Sequence, residues 1–545
     1  MAVAARSVHV DGHRAGDDLY GQLALGISNS QAVKLRTVIA RFRFHSILMA
    51  QITTREPLPL LALLPINAVV WTVAAWLSRG NLDMQGDMIE NYAWGIEWQA
   101  GYFKHPPLFA WVTAAWFRIF PNTDLAYFAL SSFNVLIGLL GIVALAGQFV
   151  PRRTAVVAGL AMAVSPLYST LAVKFNANAI LLSIWPWTAY FFVRFMQTGR
   201  RRFALALGVF GALSLLGKYF SVVLLTALLT AALARPAWRA RLWSWPALVA
   251  VAAGAVVLGP HIAWLVTDRF ETFAYAEGRM GGARWAAVER FGIYTLAQIA
   301  YLCLSFGFVG LLAGRSRWRA MKTMIGSSVR PKRSPDLWWL TFGPLIVTGG
   351  VAVATGTQMA SVWGMAAWFA IVPMWLVVLR RAQITVEPER ARRLMAAYWA
   401  IVLVATAAVG FNAALRGTDD AAEPRKELAM AARLLWRTTV GGEIPVVTGS
   451  VHEAQSILFY DNRRTRYWDM ERPRATPWLT ADEVRRQGVL LVCRVGDTAC
   501  VERSAAFSRA VPNYVEVSKR AWGRVMAARG YVVFVLRPAE QVERP

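Results

Sequence analysis

Apolar runs recur along this chain, most of them about as long as a helix needs to cross a hydrocarbon layer, with short polar connections between them. A bilayer core takes roughly 17 to 25 apolar residues in helical form, and it admits only helices or closed barrels because backbone polar groups find no water there. Runs near 58–78, 125–149, 154–172, 178–195, 202–217, 219–234, 245–266, 291–313, 337–356, 362–379 and 394–414 suit that role, giving about eleven crossings. Residues 106–120 are apolar but shorter and read as an interfacial helix. With 56% hydrophobic residues and a mean hydropathy of +0.40, the chain is oilier than a soluble fold needs for its cores. The expected fold class is an α-helical polytopic membrane protein.

Charge orients it. There are 58 Lys+Arg against 32 Asp+Glu, a net +26, an excess that suits nucleic acid or an anionic membrane leaflet. The apolar runs decide for membrane lipids and against a nucleic-acid partner. Alternate connections carry the cations: the tail 1–55, "PRR" at 151–153, "RFMQTGRRR" at 194–202, "RPAWRAR" at 235–241, the stretch 315–333 and "RRAQITVEPERARR" at 380–393. By the positive-inside rule these lie in the cytosol. The N-terminus is then cytosolic, without a cleaved signal peptide, and an odd number of crossings puts everything after about residue 415 outside.

Three regions follow: a basic tail over 1–55, a transmembrane domain over 56–415 with its first outward loop at 79–124, and an extracytoplasmic α/β domain over 416–545. In the last, an amphipathic "EPRKELAMAARLLWRT" precedes strand-like "IPVVTGS", "SILFY", "GVLLVC" and "YVVFVLRP". Cys493 and Cys500 are close enough in sequence to form a disulfide if this region is outside the cytosol.

The first outward loop contains "GDMIENYAWGIEWQAGYFKHPPLFAW". A helix over 86–100 would carry Ile89, Ala93, Ile96 and Ala100 on an apolar stripe, with Asp87, Asn91, Trp94 and Trp98 opposite. That describes a helix lying on the membrane with an acidic, aromatic face free, or simply solvated acids on a surface helix. Pro106 and Pro107 then make a fixed corner that holds Lys104 and His105 near the bilayer. Other outward connections add Lys174, Asn176 and Asn178, then Lys218 in a tight turn, then His261. Ionisable groups this close to lipid are functional candidates, although a lysine there can also snorkel to headgroups. Asp87, His105 and His261 are weak candidates for a divalent metal, and no cofactor is otherwise indicated.

The order of these features resembles polyprenyl-phosphate-dependent glycosyltransferases of the family 39 type, in the GT-C class that includes protein O-mannosyltransferases and the lipid A aminoarabinose transferase. Asp87 falls on the first acid of an Asp-Glu pair, and His105-Pro106-Pro107 on a closing His-Pro-Pro-Leu motif. "FNANAILLSIWPWTAYFFVR", "LLGKYFSVVLL" and "GPHIAW" continue the likeness over most of 58–380. Met88 stands in place of the second acid, and Asn178 where many relatives have Asp, so an acid-dependent metal site does not carry over.

The resemblance implies a GT-C fold with about 11–13 transmembrane helices and outward-facing interfacial helices, in a bacterial inner membrane. It implies transfer of a sugar, with inversion, from a polyprenyl-phosphate donor to a lipid, polysaccharide or protein acceptor on the outer face. Asp87 would be the general base; Lys218, His105 and Lys104 would bind the donor phosphate. Asn176, Asn178, His261, Trp94 and Glu90 would bind substrate. The rival reading is a secondary transporter or lipid flippase, which should instead gather polar groups near the bilayer midplane.

Overall fold

A computed structural model describes residues 59–539, apart from 269, 279–281, 331–334, 358 and 462–463. The basic tail expected over 1–55 lies outside the described residues.

Among the described residues six helices are long and apolar enough to cross a membrane: Leu60–Ser78, Asp124–Ala146, Trp245–Thr267, Arg284–Leu312, Asp336–Thr355 and Arg390–Arg416. The pair Tyr219–Leu233 and Pro236–Leu242, bent by 119°, would make a seventh. This is fewer than the eleven or more expected, and the reason is where helices break. Arg152–Ala163 and Ile371–Arg381 have only 12 and 11 residues, and Arg201–Gly217 has 17 and opens on two arginines. Ile180–Thr198 is long enough but interrupts its apolar residues with Pro186, Arg194 and Gln197. A run of apolar letters does not reveal such breaks.

Small residues let the helices approach closely. A Cβ on Gly138 would come 2.2 Å from the Leu182 carbonyl oxygen, so Asp124–Ala146 packs against Ile180–Thr198 only with glycine there. Exposure separates spans of similar hydropathy: 61% of the Asp124–Ala146 window is buried and 11% of the Trp245–Thr267 window.

The arginine-rich connections gather at one end of the bundle. Arg194 donates to Gln148 at 2.9 Å, Arg235 pairs with Asp336 at 2.5 Å, Arg380 reaches the Phe149 carbonyl, and Arg241 and Arg390 lie against Gly199 and Gly314. The common end for the cations is what the positive-inside rule requires, and it places the opposite end, with the C-terminal sheet, outside the cytosol.

That sheet comprises β1 Val446–Gly449, β2 Arg466–Tyr467, β3 Val489–Arg494, β4 Asn513–Val517 and β7 Arg529–Leu536, in the order β2-β1-β3-β7-β4. β1 runs parallel to β2 and β3; β7 runs antiparallel to β3 and β4. A two-stranded ribbon of β5 Arg520–Ala521 and β6 Arg524–Val525 stands beside it. "SILFY" is not a strand: it ends the helix Val451–Tyr460, whose buried Ala454, Ile457 and Leu458 recur at helical spacing. Cys493 and Cys500 are joined by a disulfide, in keeping with an oxidising compartment.

The sheet domain is welded to the first outward loop. Phe459 packs edge-on against Tyr92 and Phe117, each at 5.1 Å. Arg466 grips the Glu97 carboxylate through two hydrogen bonds of 2.9 and 2.5 Å. The described residues from 60 onward accordingly form one compact unit.

Candidate functional site

The loop helix is Asp87–Gly95, shorter than the pattern suggests. It begins at Gly86, whose φ of 77° is left-handed and therefore suits glycine; a Cβ there would also strike the His452 ring at 2.2 Å. Its first-turn donors are satisfied from upstream: the Asp83 carboxylate accepts from the backbone N–H of Asp87 at 3.1 Å and of Met88 at 2.8 Å. A carboxylate at a helix N-terminus also meets the positive end of the macrodipole.

The helix does not offer a free face. Asn91 and Trp94 are as buried as Ile89 and Ala93, because the sheet domain and the helix Leu108–Ile119 close over it. Asn91 donates to the Phe175 carbonyl at 2.7 Å, and Trp94 stacks on Tyr102 at 5.1 Å. Trp94 is thus a packing residue rather than a sugar platform.

What remains open is a cavity of about 970 Å³, lined among others by Asp87, Glu90, Lys104, His105, Lys174 and Lys218. Asn176 and Asn178 line it too, so seven of the nine residues singled out as catalytic, phosphate-binding or substrate-binding share one space. Trp94 and His261 do not line it. His261 has both ring nitrogens engaged, one with the Ala100 carbonyl at 2.7 Å and the other with the Tyr219 hydroxyl at 2.8 Å. It is a strut between spans and loop, which removes it from the metal and substrate readings. Among the described residues no three His, Cys, Asp or Glu side chains converge to hold a metal ion.

Cations are held in place by partners. Lys104 pairs with Glu90 at 2.8 Å and lies over the rings of Phe103 and Trp94. Burial pushes the Glu90 carboxyl above the ordinary carboxylate range, and the Lys104 ammonium opposes that rise. Lys218 follows the helix Arg201–Gly217 in an extended conformation, donates to Asn178 Oδ1 at 2.6 Å and sits 4.8 Å over the Trp363 ring.

Lys174, a functional candidate by its place near the bilayer to which the resemblance gives no role, is the link. Its ammonium lies 2.9 Å from Asp87 and 3.5 Å from Asp83, and it donates to Gln85 at 3.2 Å. Asn176 donates to the same Asp87 oxygen at 3.2 Å, while its own carbonyl accepts from the N–H groups of Asn178 and Ala179. Asp83 is 1% exposed and Asp87 41%. Asp83 and Asp87 thus share Lys174, one acid buried under the helix start and the other presented to the cavity. Met88 points inward, and its carbonyl accepts from Tyr127 at 2.6 Å.

The lining also includes apolar side chains, Phe220, Val222, Val223, Val351, Val362 and Met365. The cavity thus offers both apolar surface and a carboxylate with ordered ammonium groups.

Comparison with known proteins agrees with this layout. Residues 104–264 match the family described as dolichyl-phosphate-mannose-protein mannosyltransferase. A lipid A galacturonosyltransferase of Rhizobium johnstonii, RgtD, is 23% identical over 322 residues, covering 58% of this chain and 65% of that protein, so the match spans less than two thirds of the relative's length. The crystal structure of ArnT from Cupriavidus metallidurans bound to undecaprenyl phosphate superposes with a TM-score of 0.53 at 15% identity, over 87% of this chain and 97% of that one. The same protein in its apo state gives the same score. The chain therefore shares the fold of that ArnT structure.

Proposed function

We propose that this protein transfers a sugar from a polyprenyl-phosphate donor to an acceptor hydroxyl at the outward face of the membrane. The observation that carries the reading is the single cavity lined together by Asp87, by the ordered Lys104, Lys174 and Lys218, and by a group of apolar side chains. A lipid-linked sugar phosphate has matching parts: an apolar tail, an anionic link and a hydroxylated ring. The names of the matching family and relatives, which concern glycosyl transfer and polyprenyl phosphates, support the same class.

In the reaction, the acceptor oxygen forms a bond to the anomeric carbon as the bond from that carbon to the phosphate oxygen breaks. Asp87 takes the acceptor proton, and a single displacement inverts the anomeric centre. The departing polyprenyl phosphate leaves with the bonding electrons, so it needs fixed cations rather than a proton. Lys218 serves this role first, with Lys104 and His105 beside it; a lysine is a compact charge suited to phosphate. Lys174 and Asn176 hold the Asp87 carboxylate in one orientation. Asn178 fixes the Lys218 ammonium, and Glu90 does the same for Lys104. The acceptor is a lipid, a polysaccharide or a protein.

A transporter or flippase finds less support, since these polar groups sit in the first outward loop and at the outward ends of the helices, and not in broken helices at mid-span. The test is transfer in membranes containing Asp87→Asn: loss of product with normal protein levels is expected, and wild-type product would remove the mechanism.

A further inference from the structure

A second cavity, of about 480 Å³, opens between the outward ends of the spans Leu60–Ser78 and Arg390–Arg416 and the C-terminal domain. Five cations line it: Arg79, Arg425, Lys426, Lys519 and Arg520. The acids on its wall are Asp124, which accepts a hydrogen bond from the Tyr460 hydroxyl, and Glu427. Nearby Asp420 accepts from the Gly80 N–H at 2.9 Å. Among the described residues none of the five cations is ion-paired, whereas the lysines at 104 and 174 in the first cavity are paired with carboxylates.

Two of the five are buried. Arg425 is 4% exposed, lines both this cavity and a neighbouring one of about 70 Å³, and has an Nη1 with no hydrogen-bond partner. Lys519 is 9% exposed and donates only to neutral carbonyls, those of Gly80 at 2.7 Å and Asp420 at 3.4 Å. Buried guanidinium and ammonium groups ordinarily have an anionic partner. The rim supplies a setting for one: Trp76 and Trp522 are exposed beside Gly410 and Ala413, as aromatic rings are at the level of lipid headgroups.

We propose that this cavity holds the phosphate of an anionic lipid of the outer leaflet, with Arg425 and Lys519 toward the phosphate oxygens and Trp76 and Trp522 along the upper part of the lipid. Two buried cations suit the doubly liganded oxygens of a phosphate. The exposed Lys426 and Arg520 draw the headgroup in from the membrane surface. The indole rings then cover glycerol and the first methylenes, which a free phosphate ion lacks.

Native mass spectrometry of the full-length protein, released from phosphatidylcholine nanodiscs doped with phosphatidylglycerol, tests this without reference to sugar transfer. Wild type should retain phosphatidylglycerol, and Lys519→Gln should lower the retained fraction about ten-fold. Arg425 is so buried that its loss could unfold the domain, so the exposed pair Lys426→Gln with Arg520→Gln provides a second arm, expected to weaken retention about three-fold at low salt. Inorganic phosphate should displace the lipid only weakly. Equal retention by wild type and both variants would overturn the proposal. So would inorganic phosphate binding as tightly as the lipid, since that identifies a free-anion site.

Discussion

The two ends of the helix bundle are both rich in cations, and they use them differently. At the arginine end many groups are exposed or touch carbonyls and amides, although Arg235 pairs with Asp336: Arg201 and Arg202 are exposed at a helix start, and Arg380 reaches a backbone oxygen. At the opposite end Lys104, Lys174 and Lys218 are each held by named partners within one cavity. Positive charge at the first end records orientation and tolerates rearrangement. At the second it is built to a geometry, and a small displacement there should matter.

Substitutions at the two ends can break this contrast. The largest effect is expected from Asp87→Asn, which should lower transfer about 10²- to 10⁴-fold while the variant still binds polyprenyl phosphate, read by labelled-sugar transfer and lipid co-purification. Lys218→Ala should follow, with roughly a 10²- to 10³-fold loss and weaker retention of polyprenyl phosphate. Lys174→Ala should cost about ten-fold in kcat with KM for the donor little changed, and Lys174→Arg should restore part of it; an unchanged kcat would deny Lys174 a positioning role. At the other end Arg201→Gln should alter transfer by less than about two-fold, and a larger loss would show that the arginine end contributes more than orientation.

His452 provides a subtler probe of the outward end. Burial, with Arg425 nearby, lowers its pKa below the ordinary 6.5. A depressed folded-state pKa means that the stability tied to the neutral ring is present above 6.5 and lost as pH falls through the folded value. The thermal midpoint of wild type should therefore drop between pH 7 and pH 5, and His452→Gln should flatten that drop by roughly 1–3 °C. An identical pH dependence in the variant would separate His452 from it.

How much of this was legible in the letters depends on range. The membrane class and the outward C-terminal domain were, because hydropathy and arginine placement are local properties; the number of crossings was not. Legible too was the outward placement of Asp87, Lys104, His105, Asn176, Asn178 and Lys218, which follows from the turns they occupy, whereas their sharing one cavity depends on tertiary packing. Breaks inside apolar runs were not: Arg152–Ala163 stops where Ser165 turns the chain into a short 3-10 helix and hydrogen-bonds the Tyr301 carbonyl, a partner 136 residues away. Trp94 and Asn91 looked free because what covers them comes from remote segments. Asp83 escaped notice because its work, capping a helix that starts four residues later, shows only once that helix has a start. His261 was misread for a similar reason, its two acceptor and donor partners lying on other elements.

The grip of Arg466 on Glu97 joins residues 369 positions apart. At about 5–20 residues per second of synthesis, roughly 20 to 75 seconds separate the emergence of the two. During that interval the loop bearing Asp87 is outside the membrane without the domain that roofs it, its Tyr92 and Phe117 lacking the Phe459 ring that later meets both. The support of the Asp87 loop is thus completed last, when the final quarter of the chain has been translocated, so a truncated product would be inserted in the membrane with that loop unbraced.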